Sequence, residues 1–311
     1  MIGFDIGGTK CAVSIGEETD GIMHILDKKV IPTDHSISGY EMIDKMCALV
    51  EEMTDDFSRI GISCGGPLDS KRGVVNCPPN LPDWDGVPVT DILSSHFGVR
   101  CVLHNDANAC AVAEWRFGAG RGYDNVVFLT FGTGMGAGLI LDGKLYSGTN
   151  DGAGEIGHIR LDEEGPVGYG KAGSFEGFCS GGGIRNLSII TARKYLSEGK
   201  SSILFNDEND IENLTAKSVA DAMYKGDRFA LEVFEKCAHK LGLGLSVIID
   251  ILNPQAIVIG SIYERNEEFF LPRVKSVIEE EALLCNSKVC EILPAQLGDS
   301  IGDYAALGVL F

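Results

Sequence analysis

Apolar residues near the start of the chain fall into two short runs, Ile2-Gly3-Phe4-Asp5-Ile6 and Lys10-Cys11-Ala12-Val13-Ser14-Ile15, separated by Gly7-Gly8-Thr9. Two such runs around glycines predict a hairpin. His24 to Pro32 reads as a third strand. Between Tyr40 and Met53 the pattern changes, with Met42, Met46, Leu49, Val50 and Met53 at helical spacing. Ile60 to Ser63 and Val99 to Leu103 are further short strands, the first running into Cys64-Gly65-Gly66-Pro67 and the second into Asn105-Asp106. The alanine-rich stretch from Ala107 to Phe117 predicts a helix, and Gly118 to Gly122 is a glycine-rich connector that marks the expected domain boundary.

The pattern then starts again. Val126 to Phe131 is an apolar run, Gly132-Thr133-Gly134-Met135-Gly136 a glycine turn, and Ala137 to Leu141 a second run ending at Asp142-Gly143. Helices are expected over Lys217 to Tyr224 behind Thr215 as N-cap, and over Arg228 to Ile251, stopping at Asn253-Pro254. Ala256 to Ile259 reads as a buried strand ending in Gly260, and Gly302 to Phe311 as an apolar helix. Polar residues cluster between Ser201 and Asn213, which predicts either disorder or a plain surface loop. Two α/β halves that each open on a hairpin predict mixed sheets, because simple βαβ alternation is absent.

With 311 residues, 44% of them apolar, the chain can bury a sizeable core and divide into two domains. Lys and Arg number 26 against 45 Asp and Glu, a net charge of −19 that repels nucleic acid and anionic membranes. No apolar run approaches the roughly 20 residues that cross a bilayer, and no basic or apolar leader precedes the first strand, so the expected location is the cytoplasm. The ten cysteines include no C-x-x-C pair, and most lie in apolar stretches, as reduced core thiols do.

Glycines at the two bends let backbone N–H groups converge on one point, the arrangement that binds phosphate oxygens. Thr9, Lys10 and Thr133 add side-chain donors. The P-loop spacing is absent, and although Gly132 to Ala137 fits G-x-G-x-x-A, it runs into a strand where a dinucleotide fingerprint would open a helix. Asp106, after a strand and before a helix, is the candidate general base for a phosphoryl transfer to an alcohol, or alternatively the cap of the helix that follows. Asp5 beside the first turn is placed to hold water on magnesium, or is an ordinary turn aspartate. Glu155 and His158 in Gly154-Glu155-Ile156-Gly157-His158, together with Glu176, could read the hydroxyls of a polyol.

These motifs, with Gly61-Ile62-Ser63-Cys64-Gly65-Gly66-Pro67-Leu68-Asp69, Asn80-Leu81-Pro82-Asp83-Trp84, Asn105-Asp106-Ala107-Asn108-Ala109 and Asn253-Pro254 through Gly260, resemble the ROK family of sugar kinases and repressors. The resemblance implies duplicated actin-like (ribonuclease H-like) α/β domains around an interdomain cleft, here residues 1–117 with about 298–311, and 118–297. It implies ATP-dependent phosphorylation of glucose or an N-acetylhexosamine at the 6-hydroxyl, with Mg2+ held through water by Asp5. Asp106 would be the base, with Gly66, Asn105, Glu155, His158 and Glu176 at the sugar. Gly7, Gly8, Thr9, Lys10, Gly132, Thr133 and Gly134 would contact the phosphates and Gly260 the nucleotide. The implied partners are a sugar and ATP, without nucleic acid or membrane, and the implied state is a homodimer.

The chain departs from the family pattern where a C-x-C-G-x-x-G-C zinc cluster usually follows the sugar-binding His. Val167, Tyr169 and Ser174 stand at thiolate positions, so no structural zinc is expected and packing must hold the loop. Gly65 replaces a usual proline, and Ser261 a glycine. Rival readings are a non-catalytic sugar-sensing regulator and a kinase for another hexose such as fructose or allose.

Overall fold

The opening hairpin forms where its apolar runs predict it: β1 (Ile2–Ile6) pairs antiparallel with β2 (Lys10–Thr19), Ile2 opposite Ile15 and Ile6 opposite Cys11. The computed structural model describes residues 1–311. β3 (Ile22–Pro32) begins two residues before the expected His24 and pairs antiparallel with β2. α1 (Gly39–Met53) starts at a capping box, Ser38 and Glu41 satisfying each other's backbone N–H groups, and buries Met42, Ile43, Met46, Cys47 and Val50. β4 (Arg59–Cys64) then lies parallel to β1. A three-stranded sheet of β5 (Leu68–Asp69), β6 (Val74–Asn76) and β7 (Asp85–Val87), and the helix α2 (Val89–Phe97), fill the stretch where periodicity is too short to read. β8 (Arg100–Asn105) is parallel to β4 and runs through Asn105, and α3 (Asp106–Phe117) follows without a break. The first sheet therefore has the order β3-β2-β1-β4-β8 and is mixed.

The second half repeats the plan. β9 (Val126–Leu129), β10 (Ala137–Leu141) and β11 (Lys144–Leu145) are followed by a short hairpin of β12 (Val167–Gly168) and β13 (Lys171–Ala172). The helices α4 (Phe175–Phe178), α5 (Gly181–Ser197), α6 (Glu208–Ile211), α7 (Ala216–Tyr224) and α8 (Arg228–Leu252) come next, with Thr215 capping α7 as expected. β14 (Ala256–Ile259), α9 (Ile262–Arg265), α10 (Glu267–Glu281), α11 (Leu284–Ser287), β15 (Glu291–Pro294) and α12 (Ile301–Gly308) complete the chain. The second sheet runs β11-β10-β9-β14-β15, the same sequence of roles as the first. The polar stretch 201–213 is folded surface structure: Phe205 and Ile211 are fully buried, and Phe205 meets Phe229 edge-on at 4.8 Å.

Contacts divide the chain into two units, residues 1–128, 138–154 and 295–311 in one, and 129–137 and 155–294 in the other. In the first, Ile2, Phe4, Ile60 and Ile62 join Met42, Met46 and Val50 in a continuous core. α12 lies on β1, β2 and β4, where glycines make room for it: a Cβ on Gly3 would come within 3.0 Å of Ala306 Cβ. Ala109 and Ala113 of α3 pack on Ala305 and Val309 with equally little bulk. The buried Glu114 carboxylate accepts the N–H groups of Ala119, Gln296 and Leu297 at 2.8, 3.0 and 2.9 Å, tying α3 to the segment that leads into α12. No helix is long and apolar enough to cross a membrane.

Candidate functional site

The first glycine turn is fastened from behind. Gly7 N–H donates to Lys10 O at 3.2 Å, Thr33 donates through its hydroxyl to Gly7 O at 2.5 Å and through its N–H to Thr9 O at 3.0 Å, and His35 Nε2 lies 2.8 Å from Gly8 O. A Cβ on Gly8 would meet Asn80 at 2.5 Å, so only glycine fits there. Lys10 is exposed. Asp5, at the end of β1, has its pKa raised to about 6 by burial first and by Asp303 and Asp106 next. A Cβ on Gly302 would stand 2.6 Å from Asp5 Oδ2, so only glycine lets the start of α12 come this close to the carboxylate. The Asp5 carboxylate is the group of this corner that could hold a divalent cation, through water.

At the end of β8, Asn105 Oδ1 accepts Ala107 N–H at 3.0 Å, which makes Asn105 the N-cap of α3. Asp106 is therefore the first helical residue and not the cap, although its own Oδ1 also reaches Ala107 N at 2.9 Å. Burial raises the Asp106 pKa, opposed by hydrogen bonds from the Ala107 N–H and its own. Gly66 closes on this corner, where a Cβ would come within 2.9 Å of Asn105 Nδ2. Asp5, the turn 7–10, Gly66, Asn105 and Asp106 all belong to the first unit.

In the second unit, the turn at 130–136 is closed by Thr130: its N–H donates to Gly136 O at 3.0 Å and its hydroxyl accepts Gly136 N–H at 2.8 Å. β10 follows directly, so the G-x-G-x-x-A match opens no helix. Glu176 Oε2 accepts Met135 N–H at 3.0 Å, and a Cβ on Gly134 would crowd the same oxygen. Glu176 is thus engaged with the glycine turn itself. Ile156–His158 forms a single 3-10 turn that presents His158 at the surface, its ring 5.9 Å from Tyr169. A Cβ on Gly157 would overlap Met135 O, so the 3-10 turn and the glycine turn lie backbone against backbone.

The stretch where thiolates would stand is held by a lattice of hydrogen bonds. Leu161 and Asp162 N–H donate to Gly173 O, Phe175 N–H to Ile159 O, and Gly173 N–H to Pro166 O. Arg160 bonds Ala172 O at 2.7 Å and Lys171 Nζ bonds His158 O at 2.6 Å. The buried Ser174 hydroxyl accepts Gly177 N–H at 3.1 Å, capping α4. No group of three or more His, Cys, Asp or Glu side chains is arranged to hold a metal ion.

Two features of this region escape pattern reading. Ser180 caps α5 through Gly183 N–H at 2.8 Å, and Gly181 N–H donates to Gly132 O at 2.7 Å, so a helix start abuts the glycine turn. Its only sequence signal is the Ser-Gly-Gly-Gly run. Ser261 adopts φ 58 and ψ −109, between Gly260 N–H on Leu129 O and Ile262 N–H on Phe131 O. Its hydroxyl lies 3.8 Å from the point where a Gly132 Cβ would be.

Residues 1–309 match the model of the ROK family. The chain belongs to the ROK family. This ROK chain is 31% identical to the glucokinase of Thermotoga maritima over 314 aligned residues, all of this chain and 96% of that protein. Among solved structures it is similar to a ROK family glucokinase of Streptomyces griseus in complex with glucose and AMPPNP, with a TM-score of 0.77, 31% identity and coverage of 98% and 97% of the two chains. The ROK hexokinase of Thermus thermophilus gives a TM-score of 0.80 at 26% identity, covering 99% and 97%. The family also contains regulators: Mlc, a DNA-binding transcriptional repressor of Escherichia coli, is 28% identical over 83% of this chain and 61% of its own length.

Proposed function

We propose that this ROK protein phosphorylates the 6-hydroxyl of a hexose, with ATP as donor. The observation that carries the reading is Asp106, a solvent-accessible carboxylate at the start of α3 whose proton affinity is raised by the protein around it, in a chain with two glycine turns of phosphate-binding form. A raised pKa makes a carboxylate a stronger base toward a hydroxyl proton. Asp106 takes that proton as the hydroxyl oxygen bonds to the γ-phosphorus, and the bond from phosphorus to the β,γ-bridging oxygen breaks to release ADP. Gly7 to Lys10 and Gly132 to Gly134 hold the phosphates by backbone N–H groups, with Thr9, Lys10 and Thr133 adding side-chain donors and Gly260 meeting the nucleotide. Bound magnesium, held through water by Asp5, would neutralise charge on the β and γ oxygens. Asn105, Glu155, His158 and Glu176 bind the remaining sugar hydroxyls, and Gly66 lines the pocket.

The glucokinase relatives support glucose as acceptor; an N-acetylhexosamine is the competing substrate. Such an enzyme draws on cytoplasmic ATP. A homodimer is supported by exposed apolar side chains, Val247 and Ile251 on α8 beside Leu283 and Leu284, held next to them by Asp250 through Leu283 N–H. ADP release by the protein with ATP, magnesium and a panel of glucose, N-acetylglucosamine, N-acetylmannosamine and fructose tests the reading. Turnover with one hexose supports it, whereas sugar binding without ADP release turns the reading to a sensor.

A further inference from the structure

Of the 26 Lys and Arg side chains, Lys240 alone is buried, at 8% exposure in the middle of α8. Its Nζ donates to Asp162 Oδ2 at 2.8 Å and to Leu161 O at 3.3 Å, and lies 5.2 Å from the centre of the Phe178 ring. Removing an ammonium from water is unfavourable by several kcal/mol, and an apolar residue of similar length would fill the same space without that penalty. What the ammonium adds is position. Leu161 and Asp162 are three and four residues beyond His158, and Phe178 is two beyond Glu176, so one cation grips both segments that carry the polar groups of the second unit.

Neither segment can orient those groups by itself. His158 ends a three-residue 3-10 turn, and Glu176 sits in a four-residue helix. Local hydrogen bonds join the two segments to each other; α8, with 25 residues, is the long element on which α4 packs through Phe175 against Gly244, and Lys240 is the side chain of α8 that reaches both segments. A Cβ on Gly165 would strike the Phe178 ring at its Cζ tip, so the loop backbone closes on the ring that the ammonium also approaches.

We infer that Lys240 is a positioning residue for sugar recognition, a cationic pin that sets His158 and Glu176 against the acceptor; this rests on the proposal that these two residues bind the sugar. Replacing it by Met keeps the stem and removes the charge. Lys240→Met should raise the KM for the sugar about tenfold and leave that for ATP within about twofold, the loss expected when binding groups drift by a fraction of an ångström. Lys240→Arg should restore most of the affinity, and Asp162→Asn should reproduce part of the loss.

Amide hydrogen exchange across residues 159–176 gives a second readout that needs no turnover: the Met variant should exchange faster there and unchanged in β14 and α10. His158→Ala in the same assays separates the two ideas. If His158→Ala weakens the sugar while Lys240→Met, or Asp162→Asn should the Met variant not fold, changes neither sugar KM nor exchange, the pin is refuted. If His158→Ala leaves the sugar KM unchanged, the sugar-loop assignment falls, and the pin for sugar recognition falls with it.

Discussion

Ser261 holds a backbone conformation that L-residues rarely adopt, φ 58 and ψ −109, and glycine should serve the fold better there. Such a residue costs on the order of 1–3 kcal/mol. Ser261 recovers some of this by forming a capping box with Glu264, whose Oε2 accepts the Ser261 N–H at 3.3 Å. Ser→Gly at an N-cap sacrifices only a few tenths of a kcal/mol. The added freedom of an unfolded glycine subtracts about 0.4–1 kcal/mol more. Ser261→Gly should therefore stabilise the second unit by about 1 kcal/mol, the middle of these terms. Ser261→Ala keeps the positive φ and loses the cap, so it should destabilise by about 1 kcal/mol. The expected order is Gly, then Ser, then Ala, with about 2 kcal/mol between the extremes. Urea unfolding followed by far-UV circular dichroism measures it, with equal m-values as the condition for comparison. Tryptophan fluorescence is the wrong probe, because both tryptophans, Trp84 and Trp115, lie in the first unit. An alanine variant as stable as the glycine variant would refute the reasoning, since it would mean that the backbone at 261 carries no strain.

Asp106→Asn should keep sugar binding and lose about a hundredfold or more in kcat, and full turnover would remove Asp106 as the base. Because burial raises the Asp106 pKa above 3.8, the acid limb of kcat/KM should lie above the ordinary carboxylate range. The same shift has a sign for stability: the unfolded chain loses this proton at lower pH than the folded one, so the contribution of Asp106 to stability falls as pH rises from 3.8 to its folded value, and Asp106→Asn should be the more stable protein above that window, read from melting temperatures against pH. Glu114→Ala leaves three N–H groups without their acceptor and should cost about 3 kcal/mol in urea unfolding; a loss below about 1 kcal/mol would show that water replaces the carboxylate easily. Metal analysis of the purified protein should find no stoichiometric zinc, and a zinc chelator should leave its melting temperature unchanged; a chelator-induced fall would mean that a metal, and not the hydrogen-bond lattice of 159–177, holds that loop.

Elements with long or clean periodicity were legible from sequence: the second hairpin, α1, α7, α8 and β14 lie within two residues of their expected positions, and the first hairpin starts where expected although β2 runs four residues past Ile15, to Thr19. The stretch between Cys64 and Val99 was opaque, since strands of two or three residues carry too few alternations to register and α2 buries only Val89 and Leu93. α5 was missed because three glycines open it, an unlikely composition for a helix start away from a packed neighbour. Asp106 stood out as a candidate by its place between a strand and an alanine-rich helix, but whether it caps that helix was not readable. That turned on whether Asn105 or Asp106 takes the N-cap dihedrals, and the Asn105 side chain fills that role. Lys240 had no signature at all, because in the linear pattern of α8 a lysine on the buried side looks like any polar position near the helix middle.

The glycine groove on β1, β2 and β4 that receives α12 has a consequence for biosynthesis. Gly3, Gly16 and Gly61 each leave space that Ala306 or Leu307 fills, and the ribosome makes those residues only after all of 155–294. Emerging from the exit tunnel, the first sheet must therefore wait with an uncovered apolar face while the whole inserted unit is synthesised and folds. The core of the first unit is therefore not complete until one eight-residue helix docks into a slot built some 240 residues of chain earlier.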